Sequence, residues 1–238
     1  MGKVLFMRKG EIHTVPSVFT GDPVFANNDW ATIIETCQKN AVPDTWVVGD
    51  QKAMTINGTS YMIDIIGKNH DDYADGSGKA PLTFQFNKSY NTGYPMNSTN
   101  TCAGGWADSA MRNTHLPIIL SYMPTEVKNA IREVHKIAGM GNGQNTTLET
   151  SVDKLFLLAA EEVFGSGANY VPGEGSQYAY YAAGNTKIKT RANGTVNGWW
   201  TRSTSLSGTA GFWLVNTDGT PAYPGSANAN SAAPAFCF

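Results

Sequence analysis

Residues 199–238 hold three short apolar runs: Trp199-Trp200-Thr201-Arg202-Ser203, Phe212-Trp213-Leu214-Val215 and Pro234-Ala235-Phe236-Cys237-Phe238. Each is bounded by Gly, Ser, Asn or Pro, which predicts three strands separated by long exposed loops. A C-terminal segment this apolar would be an aggregation hazard in water, so it predicts a strand paired into a sheet near the middle of the structure. The aromatic side chains of these runs are expected in the core.

The rest of the chain can build such a core. A length of 238 residues with 41% hydrophobic content favours one large β-rich domain over two small ones. The 17 Lys and Arg are scattered and the net charge is −2, so no basic footprint points to nucleic acid. Only 15% of residues are charged, while Gly, Asn, Ser and Thr abound, a polar and uncharged surface suited to contact with sugars. Cys37, Cys102 and Cys237 are widely separated and odd in number, which argues for buried thiols over a disulfide framework or a metal-binding pair. No run approaches the about 18 apolar residues of a membrane helix, and the N-terminus lacks the pattern of a cleaved signal. A cytoplasmically made, soluble chain without membrane insertion is the expectation.

Residues 1–29 read as an assembly arm whose apolar residues dock on a neighbouring subunit or fold back on the body: Val4-Leu5-Phe6-Met7 is strand-like, and Gly21-Asp22-Pro23 is turn chemistry. Asn28 or Asp29 caps a helix through Asn40 with Trp30, Ile33, Ile34 and Cys37 on one face. Trp46 to Val48, Lys52 to Ile56 and Tyr61 to Ile66 are strand-like, and Asn57-Gly58 predicts a two-residue hairpin turn. Gly104 to Gly139 reads as helical, Lys154 to Leu158 as a buried strand and Ala159 to Phe164 as a helical turn. Helices on one face of a sheet make the expected class α+β.

The order of several motifs resembles a family. Val48-Gly49-Asp50-x-Lys52, Ile65-Ile66-Gly67-x-Asn69-His70-Asp71, Gly105-Trp106-x-x-Ser109-x-Met111-Arg112, Asp153 to Leu158, Trp200-x-Arg202-Ser203 and the ending Pro234-Ala235-Phe236 are similar to an uncharacterised C-type-lectin-like domain. That domain, whose fold is like that of the sulfatase-modifying factors, occurs in tailed-phage virion proteins and Gram-positive surface proteins. The resemblance implies a C-type-lectin-like domain over residues 30–238, with twisted antiparallel sheets, short flanking helices and long loops. The opening Met1 to Gly10 also looks like the start of many phage virion proteins.

Catalytic chemistry finds little purchase. His70-Asp71-Asp72 invites a metal reading, but His13, His115 and His135 lie in unrelated settings, so the pair is expected to tie down a loop. Asp71, Asp72 and Asp75 with Gly76 weakly resemble a calcium loop, without the glutamate at its twelfth position. There is no Gly-x-Ser-x-Gly elbow, and Cys237 stands without the partner cysteine of the sulfatase-modifying enzymes. Glu161, Glu162 and Glu174 are the candidates for glycoside cleavage. Arg202 is expected to pair with a buried carboxylate, Asp153 being the nominee.

The reading is a non-enzymatic virion protein without cofactor or metal, attached to virion structural proteins through residues 1–29. It is expected as a homo-oligomer binding a bacterial surface glycan or protein, with no nucleic-acid partner. The candidate ligand residues lie in the C-terminal loops: Ser203, Ser205, Ser207, Thr209, Tyr223, Asn228 and Asn230. The alternatives are a purely structural head-decoration or tail-assembly protein, or a cell-wall glycosidase.

Overall fold

A computed structural model describes residues 4–8, 11–15, 19–167 and 169–238. Within the expected arm, strands β1 (Val4–Arg8) and β2 (Glu11–Val15) form an antiparallel hairpin. Residues 1–3, 9–10 and 16–18 of that arm lie outside the described residues. Residues 19–29, also assigned to the arm by sequence, pack on the body: Phe25 is buried against Trp46 and Phe84, and Phe19 meets Trp46 edge-on.

Helix α1 (Trp30–Gln38) starts at Asp29, whose side chain accepts from Thr32 N at 2.8 Å. Such a cap satisfies one of the amides left open at a helix start. Its buried face is the one the sequence spacing gives, with Trp30, Ile33, Ile34 and Cys37 inside. Strands β3 (Gln51–Ile56) and β4 (Thr59–Lys68) pair antiparallel across Asn57-Gly58, both residues holding positive φ, 49° and 74°. A Cβ at Gly58 would meet no other atom, so only the backbone conformation opposes a side chain there. Gly58→Ala is therefore expected to lower stability by about 1 kcal/mol, read from urea denaturation midpoints, with the fold intact.

Strand β5 (Leu82–Phe86) joins β4, and β11 (Ala235–Cys237) adds to the other edge of β5, giving the antiparallel order β11-β5-β4-β3. The C-terminal run is thus interior: residues 231–238 are all buried, and the rings of Phe84, Phe236 and Phe238 pack at 5.3 to 5.5 Å. The free edge of β11 is covered by single bridges from Arg132 to Cys237 and from Phe156 to Ala235. Short helices α2 (Leu116–Ser121) and α3 (Thr125–Ala130) follow, the first entered through a π-helical turn at Met111–His115.

The stretch after α3 departs from the helical expectation. Strands β6 (Val134–Gly139) and β7 (Leu148–Asp153) form an antiparallel hairpin in which Val134, Lys136 and Ala138 face inward. In the segment Lys154 to Leu158, expected as a strand, Lys154 is exposed and Leu155 to Leu158 are buried but irregular, with Phe156 making the one bridge, and Trp46 to Val48 is a bend leading into a turn, with no strand. Helices α4 (Ala160–Phe164) and α5 (Ala179–Ala182) lead to a second sheet of order β10-β9-β8. Its strands are β8 (Trp199–Thr204), β9 (Phe212–Val215) and β10 (Pro221–Ala222). The class is α+β, with antiparallel sheets and few short helices. Cys37, Cys102 and Cys237 are buried free thiols.

Candidate functional site

The β8-β9-β10 sheet carries an open groove of about 810 Å³ at its loop end. Pairing of Pro221 with Val215 and of Ala222 with Leu214 sets the register of β10, and the chain then delivers Tyr223 over Trp213. Their rings lie 4.9 Å apart at 59°, and Trp213 also meets Tyr170 edge-on at 5.8 Å. The Trp213 indole N–H donates to Asn169 O at 3.2 Å, which fixes the ring's orientation. Trp213 is 6% exposed and Tyr223 52%, so the first forms the floor and the second offers a face to solvent. Asn169, Asn216, Asn228 and Asn230 add amides to the lining, and no lining side chain is charged. Among the described residues, the Asn228 and Asn230 side chains make no hydrogen bond, so both amides are available.

The surrounding loops are cross-tied. Leu206 N bonds Asn169 O at 3.0 Å, Ser226 N bonds Ala210 O at 2.8 Å, and Gly211 bridges Gly225. A Cβ on Gly211 would stand 2.6 Å from Pro224 O, so this approach of two backbones requires glycine. The Ser226 hydroxyl sits among Thr99 O, Thr101 O and Thr101 N at 2.8 to 2.9 Å, joining the loop before β11 to the region ahead of α2. These ties order the groove before any ligand arrives, which lowers the entropy lost on binding.

The second concentration of chemistry is a buried charge cluster beneath the β6-β7 hairpin, opening into a cavity of about 180 Å³. Arg202, fully buried, uses all five of its N–H donors. They reach Ile137 O, Leu157 O, Glu174 O and both oxygens of Glu162, at 2.6 to 3.0 Å. Glu162 accepts four bonds in turn, from Arg202 twice, Lys136 Nζ at 2.8 Å and Ala159 N at 2.9 Å. Lys136 also reaches Asp71 at 2.7 Å, and Tyr178 OH donates to the same carboxylate at 2.9 Å. Burial opposes ionisation of both acids, but Lys136 holds Asp71 down at about 2, and Arg202 with Lys136 holds Glu162 below the usual carboxylate range.

Glu174 is the exception. Its carboxylate takes Gly139 N at 2.8 Å and the Ser203 hydroxyl, and burial pushes it up to about 7. Two cations already balance Asp71 and Glu162, so an ionised Glu174 is an uncompensated buried charge.

His70, Asp71 and Glu162 bring ligand atoms within 4.8 Å of one another, a set able to hold a metal ion by type. The Lys136 ammonium lies between the two carboxylates and satisfies that charge, while the His70 ring stacks on Tyr178 at 3.9 Å. The residues fit a structural ion-pair cluster better than a metal centre. The three aspartates suggestive of calcium turn to separate cations: Asp71 to Lys136, Asp72 to Lys79 and Asp75 to Arg132. Of the glycosidase candidates, Glu162 has no free lone pair, Glu161 accepts from Gly173 N at 2.8 Å, and Glu174 is bonded inside the cluster.

The loop residues named from sequence divide. Tyr223, Asn228 and Asn230 line the groove. Ser207 and Thr209 are exposed but stand outside its lining, on the β8-β9 connection. Ser203 and Ser205 are corrections: β8 extends through Thr204, Ser203 is fully buried with its hydroxyl on Glu174, and Ser205 is buried beside the Tyr170 bridge. Arg202 likewise pairs with Glu162, while Asp153 takes Arg112 and the Trp106 indole. Trp213 and Asn169 escaped the sequence reading, the first because an aromatic in a strand reads as core and the second because it meets Trp213 only through the fold.

No curated protein and no solved structure matches the chain. A family model described as a domain of unknown function, DUF6273, matches residues 83–238, a span that holds the whole groove and the charge cluster except His70 and Asp71. The chain belongs to the DUF6273 family.

Proposed function

We propose that this protein is a non-enzymatic recognition domain of C-type-lectin-like fold, carried on a phage particle, that binds a bacterial surface ligand through the Trp213–Tyr223 groove. The observation that carries the reading is the groove itself: a half-exposed aromatic face and unengaged amides, held on loops tied to one another. Sites of this kind, mostly apolar with a few placed polar groups, are the usual form of a ligand-binding cleft. The one other concentration of polar chemistry described above is consumed by its own pairing, which supports binding over turnover. Motif order supports the lectin-like fold and the virion setting, and the β1-β2 hairpin is the proposed attachment element. A weak site gains from repetition, so several copies per particle are part of the reading.

The test is retention of the purified full chain on envelope preparations from Gram-positive bacteria. Tyr223→Ala combined with Asn228→Ala is expected to weaken retention at least about tenfold, the size expected when a stacked ring and a hydrogen bond are lost. Ser207→Gly combined with Thr209→Gly, outside the groove, is expected to retain it. Loss with the second pair alone would move the site to the β8-β9 connection. Full retention by both, or binding only to virion proteins, would favour the structural role.

A further inference from the structure

Resting on the groove as the recognition site, we infer that its ligand is a neutral glycan, bound without calcium and with a sugar ring stacked on Tyr223. Three features of the lining converge on that chemistry.

The first is charge. The lining holds no Asp, Glu, Lys, Arg or His. An acidic polymer would find no cation to neutralise it there, and a basic peptide no carboxylate. A charged ligand entering such a groove loses hydration without recompense.

The second is the aromatic face. Tyr223 is 52% exposed, and its ring is held against Trp213 at 4.9 Å, so it presents a fixed platform. An aromatic face carries the negative lobe of its quadrupole, and the C–H bonds on one side of a pyranose ring carry partial positive charge. Stacking joins the two and removes apolar surface of both from water. Leu214, Pro221 and Pro224 extend the apolar floor beside it.

The third is the set of amides. Asn228 and Asn230 each present two N–H donors and a carbonyl acceptor on the rim, without hydrogen bonds to other described residues. A pair of neighbouring sugar hydroxyls offers the complementary acceptor and donor. Calcium-mediated capture of hydroxyls needs carboxylate oxygens, and the lining has none. The volume of about 810 Å³ and the open form suit a short stretch of a polymer.

The test uses Gram-positive wall polysaccharide separated by anion exchange into neutral and acidic fractions, each titrated against the full chain with and without EDTA. Binding to the neutral fraction, unchanged by EDTA, is expected. Tyr223→Ala should weaken it about tenfold, and Tyr223→Phe, which keeps the ring, by no more than about twofold. Binding to the acidic fraction alone, loss of binding with EDTA, or indifference to Tyr223→Ala overturns the inference. Periodate and protease treatment of whole envelopes separates the two levels. Retention that depends on Tyr223, survives periodate and is lost to protease would leave the recognition site standing and replace the glycan with a protein. Retention that ignores Tyr223 would remove the site itself.

Discussion

Arg202→Ala is expected to destabilise the protein by about 3–5 kcal/mol, the size measured when one member of a buried ion pair is removed. The substitution leaves Glu162 with Lys136 as its only cation and strips the hydrogen bonds from the carbonyls of Ile137, Leu157 and Glu174. For a chain of this size that loss corresponds to a fall in Tm on the order of 10 °C. Arg202→Met with Glu162→Gln removes both charges while keeping an acceptor for Lys136, which still pairs with Asp71. The double variant should therefore recover part of the loss, as read from denaturant midpoints. A single variant that melts like the parent would mean that the cluster does not hold β6, β8 and the segment before α4 together.

Glu174→Gln carries the second large effect, and its sign depends on pH. The folded carboxyl titrates at about 7 against an ordinary value of 4.5, so the native state holds a proton that the unfolded chain has released. Below the ordinary value both states are protonated and the group has no effect. As pH rises from there to 7, stability is lost progressively, by about 3 kcal/mol in all, and the deficit then stays constant at higher pH. Glutamine mimics the protonated acid: its carbonyl can accept from Gly139 N and its NH₂ can face the Ser203 hydroxyl. The variant should match the parent near pH 4 and exceed it at pH 8, measured as the difference in unfolding free energy across that range. A difference independent of pH, or one that shrinks as pH rises, would show that Glu174 ionises normally in the native state.

How much of this was legible in the sequence depended on whether local chemistry decided the outcome. The β3-β4 turn was legible because Asn57 and Gly58 tolerate positive φ where most residues do not, and α1 because its apolar spacing coincides with a capping Asp29. The interior position of Pro234 to Phe238 followed from apolarity alone. The β6-β7 hairpin was not legible: Val134 and Ile137 fall at helical spacing, and the inward residue between them is a lysine whose burial makes sense only once Asp71 and Glu162 are placed beside it. Strand β5 shows no alternation because both of its faces are buried, with Thr83 and Gln85 bonded inside. The sequence also marked Arg202 as a buried cation but pointed to Asp153 as its partner, where the fold supplies Glu162 from α4 and turns Asp153 of β7 to Arg112.

The groove shows the same division. Tyr223, Asn228 and Asn230, read from the sequence as polar and aromatic loop residues, line the groove, whereas Ser203 lies buried within β8 and Ser205 is buried just beyond it by the bridge to Tyr170, which only the fold supplies. Trp213 was hidden by its own strand: one residue is both core and floor of the site.

The claim that the uncharged groove is the recognition surface is tested most directly by nitrogen–proton correlation spectra of the labelled protein during titration with Gram-positive envelope fragments. Of the six tryptophan indoles, the Trp213 signal is expected to move first, together with the side-chain amides of Asn228 and Asn230. Shifts gathered instead around His70, Lys136 and Glu174, with the Trp213 indole unmoved, would contradict it.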